Sequence, residues 1–279
     1  MAIVLSLLAA LTYGAADFVG GYVSKRNEVL RVVLLSQIFG TLPLVLVFPL
    51  VNDGDYSSSV LTWGISAGLA GGTGVALLYR GLARGRMSVV APITSVEAAA
   101  VPVLFGLVTG ERPGTVALIG VGVALLAVVL ISMTPEPTAD PERDGTGIPE
   151  AIGAGFAFAA FFILLAKTGD DTGMWPLLAM RGSSIALLAT GVVATRTSLR
   201  VTPGTMWGIV VAGVLDVAAN VFYLLSTRHG LLSLVAVITS MYPAATVLLA
   251  RVFLSERLVR LQIVGLAMAG TGVILIATG

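Results

Sequence analysis

The chain contains no cysteine. That single absence removes disulfide bonds, thiolate metal sites and cysteine nucleophiles together. One histidine, His229, cannot make a histidine-rich metal centre. Charge is equally scarce: only 11% of the 279 residues carry it, against about 25% in a soluble domain, too few to cover a water-facing surface. A net charge of +1 argues against a nucleic-acid role. HExxH, Walker A and GxGxxG patterns are all missing, so no cofactor and no metal site is expected. A GxSxG pattern does occur at Gly64-Ile65-Ser66-Ala67-Gly68. That motif needs a strand-to-helix elbow, and here it falls within a continuous apolar run. His229 stands at a loop end and belongs to no evident triad. An enzyme is not expected.

What the chain has in abundance is apolar sequence. It is 57% hydrophobic, with a mean hydropathy of +0.99. Apolar runs of about 20 residues recur, the length that crosses a ~30 Å hydrocarbon core. Ten spans are predicted: Ala2–Tyr22, Val32–Val51, Val60–Leu82, Ser88–Val108, Pro113–Met133, Pro149–Lys167, Trp175–Thr195, Pro203–Ser226, Leu231–Phe253 and Leu258–Thr278. Prolines 113, 149, 176 and 203 lie where helices start, positions at which the missing N–H costs nothing. The first 22 residues lack a basic leading region, and Asp17 interrupts their apolar run. They read as a retained helix rather than a signal peptide.

Half of the chain repeats the other. The stretch from Gly85 (GRMSVVAPITSVEAAAVPVLFGLVTGER) aligns without a gap on the stretch from Gly230 (GLLSLVAVITSMYPAATVLLARVFLSER), displaced by 145 positions. Ile93-Thr94-Ser95 falls on Ile238-Thr239-Ser240, Glu111-Arg112 on Glu256-Arg257, and Gly120 on Gly265. A polar, proline-rich segment from Thr134 to Ile148 separates the copies. The domain organisation is therefore a five-helix repeat over residues 1–133, a linker over 134–148 and a second five-helix repeat over 149–279. Because five is odd, the second repeat crosses the membrane in the opposite sense, an arrangement that recurs among transporters. The fold class is an all-α integral membrane protein of ten transmembrane helices, arranged as two inverted five-helix repeats.

Twelve lysines and arginines fall in the loops of one side, among them Lys25, Arg31, Arg80, Arg200 and Arg260, against Arg112, Lys167, Arg181 and Arg228 on or toward the other. The positive-inside rule then places both termini outside the cytoplasm.

These features together resemble the drug/metabolite transporter superfamily, specifically its ten-helix EamA branch. The similarity rests on the two five-helix halves, on the serine- and proline-containing fourth and ninth spans, on the Glu-Arg pair that ends each, and on Gly120 and Gly265 early in the following helix. One departure is plain: the second half has Tyr242-Pro243 where the first has Glu97-Ala98. The resemblance implies a cavity between the halves, alternating access, and export of an amino acid, another metabolite or a drug. Its partners would be a small-molecule substrate, the lipid bilayer of the inner or plasma membrane and, in some members, protons. An uncoupled facilitator, exchanger or channel is the alternative.

Charges inside a membrane are costly, about 2.5–3.5 kcal/mol even on lenient scales, and usually face a cavity or one another. Glu97 lies near the midplane and reads as a proton- or substrate-binding carboxylate, or as the partner of Arg181. Asp216, Asn220 and Tyr223 follow i, i+4, i+7 spacing and share a helix face, which reads as cavity lining or inter-helix hydrogen bonding. Asp17 lies one turn after Tyr13, as a gate or as a carboxylate reaching for the interface. Arg181 is six residues into its helix and needs an anion: Glu97, Asp216 or a substrate. Tyr242 aligns with Glu97 and could line the path, whereas Trp63 and Tyr79 read as packing. Glycines 64, 68 and 72 read as close helix packing, or as backbone exposed along a solute path. The two Glu-Arg pairs read as helix-end caps that lock loops.

Overall fold

The computed structural model describes residues 1–84, 87–133, 147–255 and 258–279, and only the backbone of residues 79, 82–84, 87 and 88. Most of the linker, the pair Glu256-Arg257 and the side chain of Tyr79 therefore lie outside the described residues. All regular structure among the described residues is helical. Lipid offers no partner for a backbone N–H or C=O, so each apolar run must close its own hydrogen bonds.

In order, the helices are α1 (Ala2–Ser24), α2 (Val29–Val51), α3 (Ser58–Arg84), α4 (Met87–Val108), α5 (Thr115–Ser132), α6 (Ile148–Ala166), α7 (Trp175–Thr195), α8 (Met206–Thr227), α9 (Leu232–Thr239), α10 (Tyr242–Phe253) and α11 (Arg260–Thr278). They make ten spans long and apolar enough to cross a membrane, with α9 and α10 as two parts of the ninth. The break has a chemical cause. Pro243 has no N–H to give the carbonyl one turn earlier, and it sits in the first turn of α10, where that lack is harmless. At the matching place in the first half, Glu97-Ala98 have their N–H groups and α4 runs on. Pro149 and Pro176 occupy the first turns of α6 and α7. Pro113 and Pro203 instead precede their helices by a few residues. The GxSxG tract lies inside α3, with no elbow.

The halves interlock instead of standing side by side. Helix α1 packs on α8 and α10, while α6 packs on α3 and α4; α2 meets α8 and α7 meets α3. Glycines fix the register of these crossings. A Cβ on Gly120 would stand 2.8 Å from the Ile276 nitrogen, and one on Gly265 would stand 3.0 Å from the Ile131 nitrogen. Moving both members of the first contact by 145 positions, with the halves exchanged, gives the second. Helices α5 and α11 run antiparallel, since Gly114 meets Gly279 while Gly265 meets Ile131. The same holds for α2 and α7, in which Phe48 meets Trp175 edge to face at one end and Leu30 faces Gly191 at the other. Counterpart helices in opposite directions are what an inverted duplication requires.

Ends of spans are tied by loops. On the side of the termini, the Asn52 side-chain oxygen accepts from the Met174 N–H at 2.9 Å, and the Asp55 N–H donates to the Asp171 carbonyl at 2.9 Å. Arg228 donates to the Gly173 carbonyl at 2.5 Å and to Thr172 at 3.1 Å. Glu111 reaches across to the other half: its two carboxylate oxygens accept from the N–H groups of Leu232 and Ser233 at 2.7 and 2.9 Å. It caps the start of α9 rather than the helix that precedes it. Lys167, also on this side, places its ammonium 5.2 Å from the Phe105 ring centre.

Candidate substrate site

Halfway along the spans the packing opens. A cavity of about 210 Å³ is bounded by α1, α2, α3, α6, α7, α8 and α10, with Ala98 of α4 at its edge. A larger space of about 620 Å³ shares Asp17, Gln37, Val75, Leu78, Asp216 and Tyr242 with it and extends to Ser24, Lys25, Leu254 and Leu258. The pair forms one path from mid-membrane to the arginine- and lysine-rich end. Toward the other end, Tyr223 is fully buried, donates to the Phe162 carbonyl at 2.9 Å and stacks on the Phe162 ring.

Helix geometry brings the polar wall together. Asp216 and Asn220 are one turn apart on α8, and the Asn220 amide donates back to the Asp216 carbonyl at 2.6 Å. Asn220 then accepts from the Tyr13 hydroxyl of α1 at 2.8 Å. Tyr13 faces Tyr242 with ring centres 6.3 Å apart, so the start of α10 closes the ring of contacts. Arg181, on α7, is 2% exposed. It pairs with Asp216 at 2.6 Å. Its counter-ion is thus Asp216 and not Glu97. The guanidinium lies behind the cavity wall, while Asp216 itself lines the space. Asp17 lines both cavities and is open to them. Among the described residues it has no ion-pair partner.

Of the residues singled out from the sequence, Tyr13, Asp17, Asp216, Asn220 and Tyr242 meet at the central cavity. Arg181 stands one layer behind them. Tyr223 shares a face with Asp216 and Asn220, but belongs to the core below the cavity. Glu97 lines neither space; its carboxylate lies against Gly155 of α6, with Oε2 buried and without a hydrogen-bond partner. Glycines 64, 68 and 72 lie against Pro176, Met180 and Leu187 of α7. Two of them, Gly68 and Gly72, also line the cavity, so both readings of the glycine stripe describe the same surface.

Sequence reasoning passed over Ser184, which hydrogen-bonds Gln37 across α7 and α2. It also passed over Phe158, Phe161 and Phe162 of α6. The phenylalanines recur at i, i+3 and i+4, a signal that ordinary helix packing produces just as well.

An uncharacterized protein of Methanocaldococcus jannaschii is 26% identical over 133 residues, covering 48% of this chain and 97% of its own length. A relative about half as long as this chain thus matches about half of it. A solved crystal structure superposes with a TM-score of 0.79 at 15% identity, over 99% of this chain and 96% of the other, and shows the fold alone. The model of the EamA-like transporter family matches twice, over residues 1–133 and 145–278. Two matches with the spacing of the internal repeat, on ten membrane-length spans, place the chain in the EamA-like transporter family.

Proposed function

We propose that the protein is a secondary transporter that carries a small metabolite, amino acid or drug by alternating access, as an exporter of the inner or plasma membrane. The observation that carries the reading is the mid-membrane cavity, which holds Asp17 and Asp216, continues to one end and is packed shut toward the other. The repeats 1–133 and 149–279, joined by 134–148, each give helices to both groups that pack around the path. One group is α1 and α2 with α8 and α10, the other α3 and α4 with α6 and α7, and access is exchanged between these mixed groups. Asp17, Asp216, Tyr13, Asn220 and Tyr242 contact the solute, and Arg181 pairs with Asp216 from behind the wall. Glu97 is an off-path carboxylate whose proton occupancy affects the α4–α6 seam, and Tyr223 is the floor. Asp17 in a low-dielectric cavity suits proton coupling, because a carboxylate without an ion-pair partner is costly to leave charged there. Both termini face outward on the positive-inside argument. The chain works without a cofactor and without covalent chemistry.

The test is flux in liposomes loaded with a pH-sensitive dye, with amino acids, sugars, nucleosides and organic cations added one at a time. A carrier gives saturable counterflow, and a proton-coupled one gives solute-dependent proton movement that Asp17→Asn abolishes. Counterflow without proton movement makes it an exchanger. Solute flux without counterflow makes it a pore and ends the carrier reading.

A further inference from the structure

The cavity's charge balance selects among solutes. Among the described residues, the titratable groups that face it are Asp17 and Tyr13 from α1, Asp216 from α8 and Tyr242 from α10. Arg181 of α7 cancels Asp216 at 2.6 Å and is itself withdrawn from the space. Glu97 of α4 faces α6 instead. The sum is one negative charge whenever Asp17 is ionised, with no cation beside it among the described residues. Lys25 stands only at the outer mouth.

A carboxylate in this setting is stabilised by whatever cation enters, and the rest of the wall is built for an apolar body. The phenylalanines of α6 and the facing rings of Tyr13 and Tyr242 offer π-faces, which attract ammonium groups electrostatically. An anion would meet Asp17 as a like charge and find no free guanidinium among the described lining residues. A zwitterion's carboxylate would have to break the Arg181–Asp216 pair to be neutralised. The size fits one ring with a short arm: a cavity of about 150 Å³ accepts benzene, and this one is about 210 Å³.

Resting on the carrier reading above, we infer that the solute is an organic monocation with a single aromatic or comparably apolar body, its ammonium group held by Asp17. The step is non-covalent; nothing but the solute and its counter-charge moves.

Three probes of similar shape and different charge test it on the purified full chain: benzyltrimethylammonium, phenylalanine and phenylacetate. The ammonium compound is permanently charged, so its own titration cannot confuse the result. Binding is read by ligand-induced thermal shift and transport by counterflow in liposomes. Benzyltrimethylammonium is expected to bind and exchange, with phenylalanine and phenylacetate at least about tenfold weaker, a gap that corresponds to one lost charge contact. Asp17→Asn should weaken the ammonium compound by about tenfold or more, and Asp17→Glu should restore most of it. An unchanged unliganded melting temperature in both variants separates lost recognition from lost fold. Preference for phenylalanine or phenylacetate, or full binding of the ammonium compound by Asp17→Asn, overturns the inference and leaves the carrier standing. Counterflow with an anion or zwitterion but with no cation has the same meaning. Absence of counterflow for every solute, charged or neutral, sinks the carrier reading instead.

Discussion

Arg181 keeps 3% of its side chain exposed, while Asp216, 2.6 Å away, keeps 35%. The two ends of the pair therefore fail differently. Asp216→Asn leaves a buried guanidinium without its anion, the situation that typically costs about 3–5 kcal/mol. Arg181→Gln leaves a carboxylate that the cavity can hydrate, so its cost is expected to be well under half as large. The double variant should recover most of the loss of Asp216→Asn, because it removes both charges from the site. Unfolding midpoints in detergent for the three variants check the order; equal losses from the two single changes would contradict the burial asymmetry. How much of this was legible follows from the same residues. Rare charges in apolar spans identified Arg181, Asp216 and Asp17 as interior groups, and helical spacing put Asp216 beside Asn220. Spacing along one helix says nothing about which neighbour it meets. Arg181 had three candidate partners for that reason, and Tyr223 could be assigned to the face of Asn220 but not to the layer beneath it. Glu97, at midplane depth, turned toward Gly155, a direction set by helix rotation that no local pattern encodes.

Helix crossings depend on atoms that are missing. Gly213 of α8 rests on the Ser36 carbonyl of α2 and stands 3.0 Å, measured from an added Cβ, from the Gly40 nitrogen. Gly40 in turn rests on the Gly213 backbone. Close backbone approach of this kind is how helices associate when lipid is as apolar as their own side chains. Gly213→Ala puts a methyl group into backbone and must push α2 from α8; overpacking of a rigid contact costs about 1–3 kcal/mol. Gly270→Ala on α11 meets nothing within 4 Å, and gains the helix preference of alanine over glycine, about 0.5–1 kcal/mol. The two substitutions are chemically identical and should move the melting temperature in opposite directions. A fall in both would mean that α11 has an unrecognised neighbour at Gly270. The sequence exposed the glycine stripes and the tandem repeat, and hence the number and sense of the spans. It did not expose the division of the ninth span into α9 and α10. Pro92 and Pro102 lie inside α4, which stays continuous, so proline alone is no sufficient signal for a break.

Whole-molecule behaviour turns on which end is closed. At the Lys25 end the path is open as far as Leu254 and Leu258. At the other, Asn52, Asp55 and Glu111 bind loops of opposite halves to one another, and Arg228 ties two loops of the second half. Glu111 is the strongest of these ties, since it is a carboxylate on two N–H groups at the positive end of a helix dipole. The absence of native cysteine allows a direct test with single cysteines and a membrane-impermeant maleimide. With the proposed orientation, in which the arginine-rich end faces the cytoplasm, Ala250→Cys on the open path should label in inside-out vesicles and not in right-side-out ones. Leu177→Cys, 1% exposed beneath the closed end, should resist label from both sides. Adding Glu111→Gln keeps the shape and removes the charge. A charge-assisted hydrogen bond of this type contributes about 1.5–3 kcal/mol, and every 1.4 kcal/mol is about tenfold in population. The closed end should then open at least about tenfold more often, and Leu177→Cys should label from the outside at a correspondingly faster rate while Ala250→Cys labels less. The reciprocal change distinguishes an exchange of access from simple loosening, which would raise both rates. Labelling of Ala250→Cys in right-side-out vesicles would reverse the orientation, and simultaneous access to both positions without any substitution would make the path a pore.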